Sequence, residues 1–147
     1  MHDALDIDPE SGCLRIAGLA PIGAGAAMSD VANALAQRAA CARDHGNGYA
    51  WLYFKDLSFG GRPCHLGLCF LDGRLVEASW SVTLPDSAPG EWPTREEIDE
   101  EIAFVRAVLG ELLGRPVSNG HWRFGWGEIW SEFDPKGFSA AHGLRYR

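Results

Sequence analysis

The chain has 147 residues, 46% of them hydrophobic and 22% charged, which suits one folded domain over residues 1–147 and excludes wholesale disorder. Twenty acids against thirteen lysines and arginines leave a net charge of −7. A nucleic-acid backbone is therefore a disfavoured partner, and a basic protein is a favoured one.

The N-terminal stretch Met1–Glu10 holds four acids and no Lys or Arg. It lacks the basic start and apolar run of a secretory signal, so a cytoplasmic protein is expected. Leu5 and Ile7 alternate, Pro9-Glu10-Ser11-Gly12 supplies turn chemistry, and Leu14 and Ile16 alternate again, which predicts a hairpin. The weakly polar stretch Ile16–Met28 is too short and too rich in Gly, Ala and Pro to span a bilayer, and no membrane partner is expected. Gly18–Gly25 reads as a loop.

Ser29 stands as an N-cap, with Asp30 complementing the helix dipole. Val31, Leu35, Arg38 and Ala42 follow at helical spacing among many alanines, so one helix is expected up to Gly46 and Gly48. Three strands come next: Tyr49–Leu57, Cys64–Leu71 and Arg74–Leu84. Ser58–Pro63 is a loop, and Asp72-Gly73 is a strong hairpin turn because both residues tolerate positive φ. In the third strand Val76, Ala78, Trp80, Val82 and Leu84 alternate with Glu77, Ser79, Ser81 and Thr83, giving one buried and one wetter face.

After the loop Pro85–Pro93, Thr94-Arg95-Glu96-Glu97 is a capping box. Ile98, Ile102, Val105, Leu109 and Leu112 form the stripe of a second helix, ended by Gly114 and Pro116. Burial of five such side chains contributes on the order of 8–15 kcal/mol before entropy is counted. Trp122, Phe124, Trp126, Glu128 and Trp130 alternate with Arg123, Gly125, Gly127 and Ile129, and the two glycines favour strand over helix. Asp134-Pro135-Lys136-Gly137 is a turn, and Phe138–Tyr146 is the last strand. The expected order is ββ-α-βββ-α-ββ: an α+β domain with two helices packed on one face of a mainly antiparallel sheet.

The chain lacks the Gly-x-Ser-x-Gly, His-Glu-x-x-His and P-loop signatures. Its four cysteines, Cys13, Cys41, Cys64 and Cys69, show no Cys-x-x-Cys spacing. Cys64 and Cys69 lie on opposite faces of one strand, so reduced thiols are expected, with no metal and no cofactor. Two enzymatic alternatives stay open. One is a hydrolase with acids from the group Glu128, Glu132 and Asp134; the other pairs Cys64 or Cys69 with His142. The aromatic row Trp122-Phe124-Trp126-Trp130 reads as core for the helices to cover, or as a stacking platform.

The charge is localised. Glu91–Glu101 holds six acids and Arg95, which is −5 of the total −7. A solvated helix face explains this, and so does an acidic dock for a basic protein. The dock would use Glu96, Glu97, Glu100 and Glu101, with Glu128 as a further contact where the aromatic face meets solvent.

The segment Trp126-Gly127-Glu128-Ile129-Trp130-Ser131-Glu132-Phe133-Asp134-Pro135-Lys136 resembles a Trp-Gly-x-Ile/Val-x-Ser-x-aromatic-Asp-Pro-Lys pattern of small uncharacterised bacterial proteins of the toxin-immunity type. The hairpin Cys69-Phe70-Leu71-Asp72-Gly73-Arg74-Leu75 resembles theirs as well. The order of a helix followed by hairpins is also similar to beta-lactamase-inhibitor-like domains. The resemblance implies a shared fold and a toxin as the basic partner; it assigns no functional residue. The expectation is a non-enzymatic immunity-type inhibitor of a cationic antibacterial toxin. The other readings are the small hydrolase and a homo-oligomeric subunit, a homodimer joined through exposed aromatics.

Overall fold

A computed structural model of the chain describes residues 3–85, 92–115 and 119–147. Glu91 and Pro116, and part of the expected loop Pro85–Pro93, lie outside the described residues. The described residues form nine strands, a short helix and a long one. In chain order these are β1 (Asp3–Ile7), β2 (Leu14–Ile16), α1 (Met28–Ala34), β3 (Ala39–Asp44), β4 (Tyr49–Phe59), β5 (Arg62–Leu71), β6 (Arg74–Val82), α2 (Arg95–Leu113), β7 (His121–Phe124), β8 (Gly127–Asp134) and β9 (Ser139–Tyr146).

The strands join in the order β2-β1-β4-β5-β6-β9-β8-β7, with β3 as a second partner of β4. β4 holds both β1 and β3 because it kinks. Its ladder with β5 shifts between Phe54 and Leu57, where Asp56 has φ 62°. Ala50–Phe54 then pairs antiparallel with β3, and Leu57 and Ser58 pair parallel with β1.

The expected two-helix layer on a sheet is not what forms. The sheet dominates and curls into a half-barrel, and α1 is only seven residues long. Two segments account for the difference. The expected first helix stops at Ala34, a 3-10 turn follows at Ala36–Arg38, and Ala39–Asp44 becomes strand β3. After Leu35 the stripe offers only Arg38 and Ala42, so nothing apolar anchors further helical turns to the core. Gly46 and Gly48, both at positive φ, turn the chain back so that β3 meets the free edge of β4. Ser29 is not the N-cap either; Ala27 is, without a side-chain cap. At the other end, the row expected as one strand folds into two. Phe124 pairs with Gly127 across a tight turn, which makes β7 and β8 a hairpin.

A third difference is local. The β5–β6 ladder shifts between Cys69 and Phe70, which turns Leu75 into the core and leaves Val76 half-buried. In α2 the stripe is Ile98, Ile102, Val105, Leu109 and Leu113, with Leu112 only partly buried. Thr94 and Glu97 form the expected capping box, and Gly114 ends the helix at φ 69°.

Two rows of side chains line the inner face of the sheet. One is Leu52, Leu68, Ala78, Leu144, Ile129 and Trp122, all buried. The other is Phe54, Leu66, Trp80, His142 and Ser131. Helix α2 packs over β8 and β9 on this face. Among the described residues, no helix is long and apolar enough to cross a membrane.

Candidate functional site

Helix α2 presents its acids in two directions. Glu96, Asp99, Glu100 and Glu111 are exposed on its outward side. Arg95 bonds Asp99 at 3.0 Å one turn on and lies 3.7 Å over the ring of Phe133. Glu97 turns back to the cap, taking the Thr94 amide at 3.2 Å while Thr94 Oγ1 accepts from the Glu97 amide at 3.1 Å. Glu101 points inward and accepts from His142 Nε2 at 2.8 Å. Of the four expected helix contacts, Glu96 and Glu100 therefore face outward, whereas Glu97 and Glu101 are engaged by their own chain.

Glu128 stands apart from them. Its cross-strand neighbours are Arg123 on β7 and Arg145 on β9, and its carboxylate lies 3.5 Å from His121 Nε2. It alternates with the buried Ile129, so it faces away from α2, on the outer side of the sheet.

The inward turn of Glu101 completes a buried chain. His142 Nδ1 is 2.9 Å from Ser131 Oγ, and both residues are essentially inaccessible. A carboxylate can only accept, so Nε2 carries a proton; with a neutral ring, the Ser131 hydroxyl then donates to Nδ1. Arg106 Nε donates to the Ser131 carbonyl at 2.9 Å and pins the same point of β8 to the helix. A Ser-His-Glu series is the order of a hydrolytic triad, but this serine is 0% exposed. Its role in the fold is to satisfy a histidine in an apolar row and to tie α2 to β9.

His142 has both ring nitrogens engaged by Ser131 and Glu101, not by a cysteine. Burial, with a contribution from the Glu101 charge, pushes the Cys64 thiol up to about 12, the opposite of an activated nucleophile. Cys69 shifts the same way, by burial and by Glu77. All four cysteines are free thiols. Glu128 and Asp134 share one strand face six positions apart, or about 20 Å, well beyond the span of a glycosidase acid pair. Asp134 caps its own turn, accepting from the Lys136 amide at 3.0 Å. Among the described residues, no group of three His, Cys, Asp or Glu is placed to hold a metal.

The aromatic row divides. Trp122 is core, whereas Phe124 and Trp126 stack at 5.0 Å against its margin, with Trp126 Nε1 donating to the Pro9 carbonyl at 2.9 Å. Trp130 lies on the outer face, beside an open groove of about 530 Å³ that Tyr53, Ser79 and Cys41 also line.

No family model matches the chain, and no curated protein does. Among solved structures, a chain of "Rhs1-CT in complex with cognate immunity protein RhsI1" has a similar fold, with a TM-score of 0.56 at 12% identity over 97% of this chain and 87% of that one.

Proposed function

We infer that the chain is a non-enzymatic binding protein of the immunity type, which captures a cationic toxin domain in the cytoplasm. The observation that carries this reading is the fold likeness, which runs through nearly the whole chain and belongs to a toxin–immunity complex. The chemistry of α2 supports the finer part. Glu96, Asp99, Glu100 and Glu111 put a field of one sign on the outward side of a helix firmly seated by its core stripe. Such a surface steers a basic partner at a distance and raises its association rate. Glu97 and Glu101 add charge to that field while their oxygens hold the cap and His142. Glu128, on the other side of the sheet, would contact only a partner that wraps the edge strand β7.

The test is co-expression with a toxin domain encoded beside this gene. Protection from growth arrest and a one-to-one complex in solution are expected. No complex with any neighbouring candidate, and catalytic turnover by this chain instead, would overturn the reading. The double variant Glu96→Lys, Glu100→Lys should slow association at least about tenfold at low salt and leave folding intact.

A further inference from the structure

The outer face of the sheet carries a charge pattern of which the inhibitor reading uses Glu128 alone. Glu77, Arg145, Glu128 and Arg123 stand directly side by side on β6, β9, β8 and β7. Directly opposed residues share a face, and the neighbouring row Ala78, Leu144, Ile129 and Trp122 is buried beneath. The four charges thus line the solvent side in the order minus, plus, minus, plus, about 14 Å from end to end. Arg145 bonds Glu77 at 2.8 Å within the chain, and its guanidinium also lies 5.5 Å from the Trp130 ring.

This order has a symmetry property. Turn a second copy over a two-fold axis that runs along the strands, midway between β9 and β8. Glu77 of one copy then meets Arg123 of the other, and Arg145 meets Glu128, so all four positions find the opposite sign twice over. A two-fold axis along the row would instead set each charge on its own kind. The adjacent row obeys the same operation. Gly143 of one copy meets Trp130 of the other, and Ser79 meets His121. A Cβ at Gly143 would come within 2.6 Å of the chain's own Trp130 ring, so within one copy that ring already covers the glycine.

We propose that this outer face is an isologous contact, and that its occupant is a second copy of this chain packed face to face about that axis. Trp130 and Arg145, the residue types that anchor protein contacts, sit at its centre. Helix α2 lies on the other side of the sheet, so the dimer leaves both acidic helix faces open.

The test needs only the full-length chain and a solution mass, by light scattering or sedimentation equilibrium, as a function of concentration. Wild type is expected to reach twice the 16.0 kDa chain mass and to weaken with salt. Glu128→Arg alone sets Arg against Arg145 of the other copy, and Arg145→Glu alone sets Glu against Glu128. Each should raise the dimer dissociation constant more than about tenfold. Mixed in equal amounts, the two variants restore opposite signs at both positions, and the doubled mass should return. Far-UV circular dichroism checks that each variant is folded. If Arg145→Glu folds poorly from crowding beside Glu77, the pair Glu77→Arg and Arg123→Glu runs the same test. A wild type that stays at one chain mass, single variants that remain dimeric, or folded variants that fail to recover on mixing would each overturn the proposal.

Discussion

The two sides of this molecule carry charge in opposite styles. On α2, Glu96, Asp99, Glu100 and Glu111 share one sign, with Arg95 tied to Asp99. On the outer face of β6, β9, β8 and β7, signs alternate from one strand to the next. A single-signed patch is felt out to about a Debye length, roughly 8–10 Å, and acts on the rate of encounter. An alternating row cancels at that distance and is read only in contact, where it fixes register more than affinity. Under the two proposals above, the helix attracts a partner and the sheet face discriminates.

The largest way to break this arrangement is to cut the buried connection between the two sides. His142→Ala removes a fully buried ring, strands the Ser131 hydroxyl, and frees Glu101. A loss of about 2–4 kcal/mol is expected in urea unfolding. Glu101→Gln keeps an acceptor for Nε2 and should cost much less. If the two variants cost the same, the histidine is not held in the way described.

High pH gives the next largest effect. The Cys64 thiol is held up at about 12 mainly by burial, against an ordinary value of 9.0, and Tyr146 shifts upward for the same reason. Both groups are neutral when protonated, so the unfolded chain releases their protons first. Stability is therefore full below about pH 9 and falls as pH rises through 9 to 12, by a few kcal/mol in order of magnitude for Cys64. Cys64→Ser should flatten that decline, although it costs stability at neutral pH. At pH 8 a thiol reagent should label the exposed Cys41 and spare Cys64 until the fold opens.

Smaller still is the cap. Thr94→Ala removes one side of the capping box and should cost about 1 kcal/mol, loosening the first turn that carries Glu96 and Glu100. Thermal melts would register a drop of a few degrees.

These effects also separate what the chain discloses locally from what it does not. Helix α2 was legible because its signals lie within one segment: Thr94 with Glu97, an apolar stripe, and Gly114. Its stripe drifted by one residue, from Leu112 to Leu113, because the last turn follows the packing rather than the ideal period. Ala36–Asp44 was misread because alanine's helix propensity is weak and an available strand edge outweighs it. The α+β layer was misread for the same reason, together with the turn hidden between Phe124 and Gly127.

The site was legible only where it is helical. Glu96 and Glu100 follow from the helix period. Glu101 and His142 lie 41 positions apart and meet only through the registers of β6, β9 and β8. His142 itself left a trace, as a lone polar residue alternating with Ala140, Leu144 and Tyr146. The charge row on the outer face left half of one: the wetter alternation at Glu77, Ser79 and Ser81 was visible, but not its neighbours across three ladders.

The measurement that bears most directly on the proposed function is the association rate of this chain with the toxin domain proposed as its partner, as a function of ionic strength. The wild-type rate should fall steeply as salt rises toward about 0.5 M, and the Glu96→Lys, Glu100→Lys variant should start slower and lose most of that dependence. Equal slopes for the two proteins would contradict the claim that the outward face of α2 captures a cationic partner.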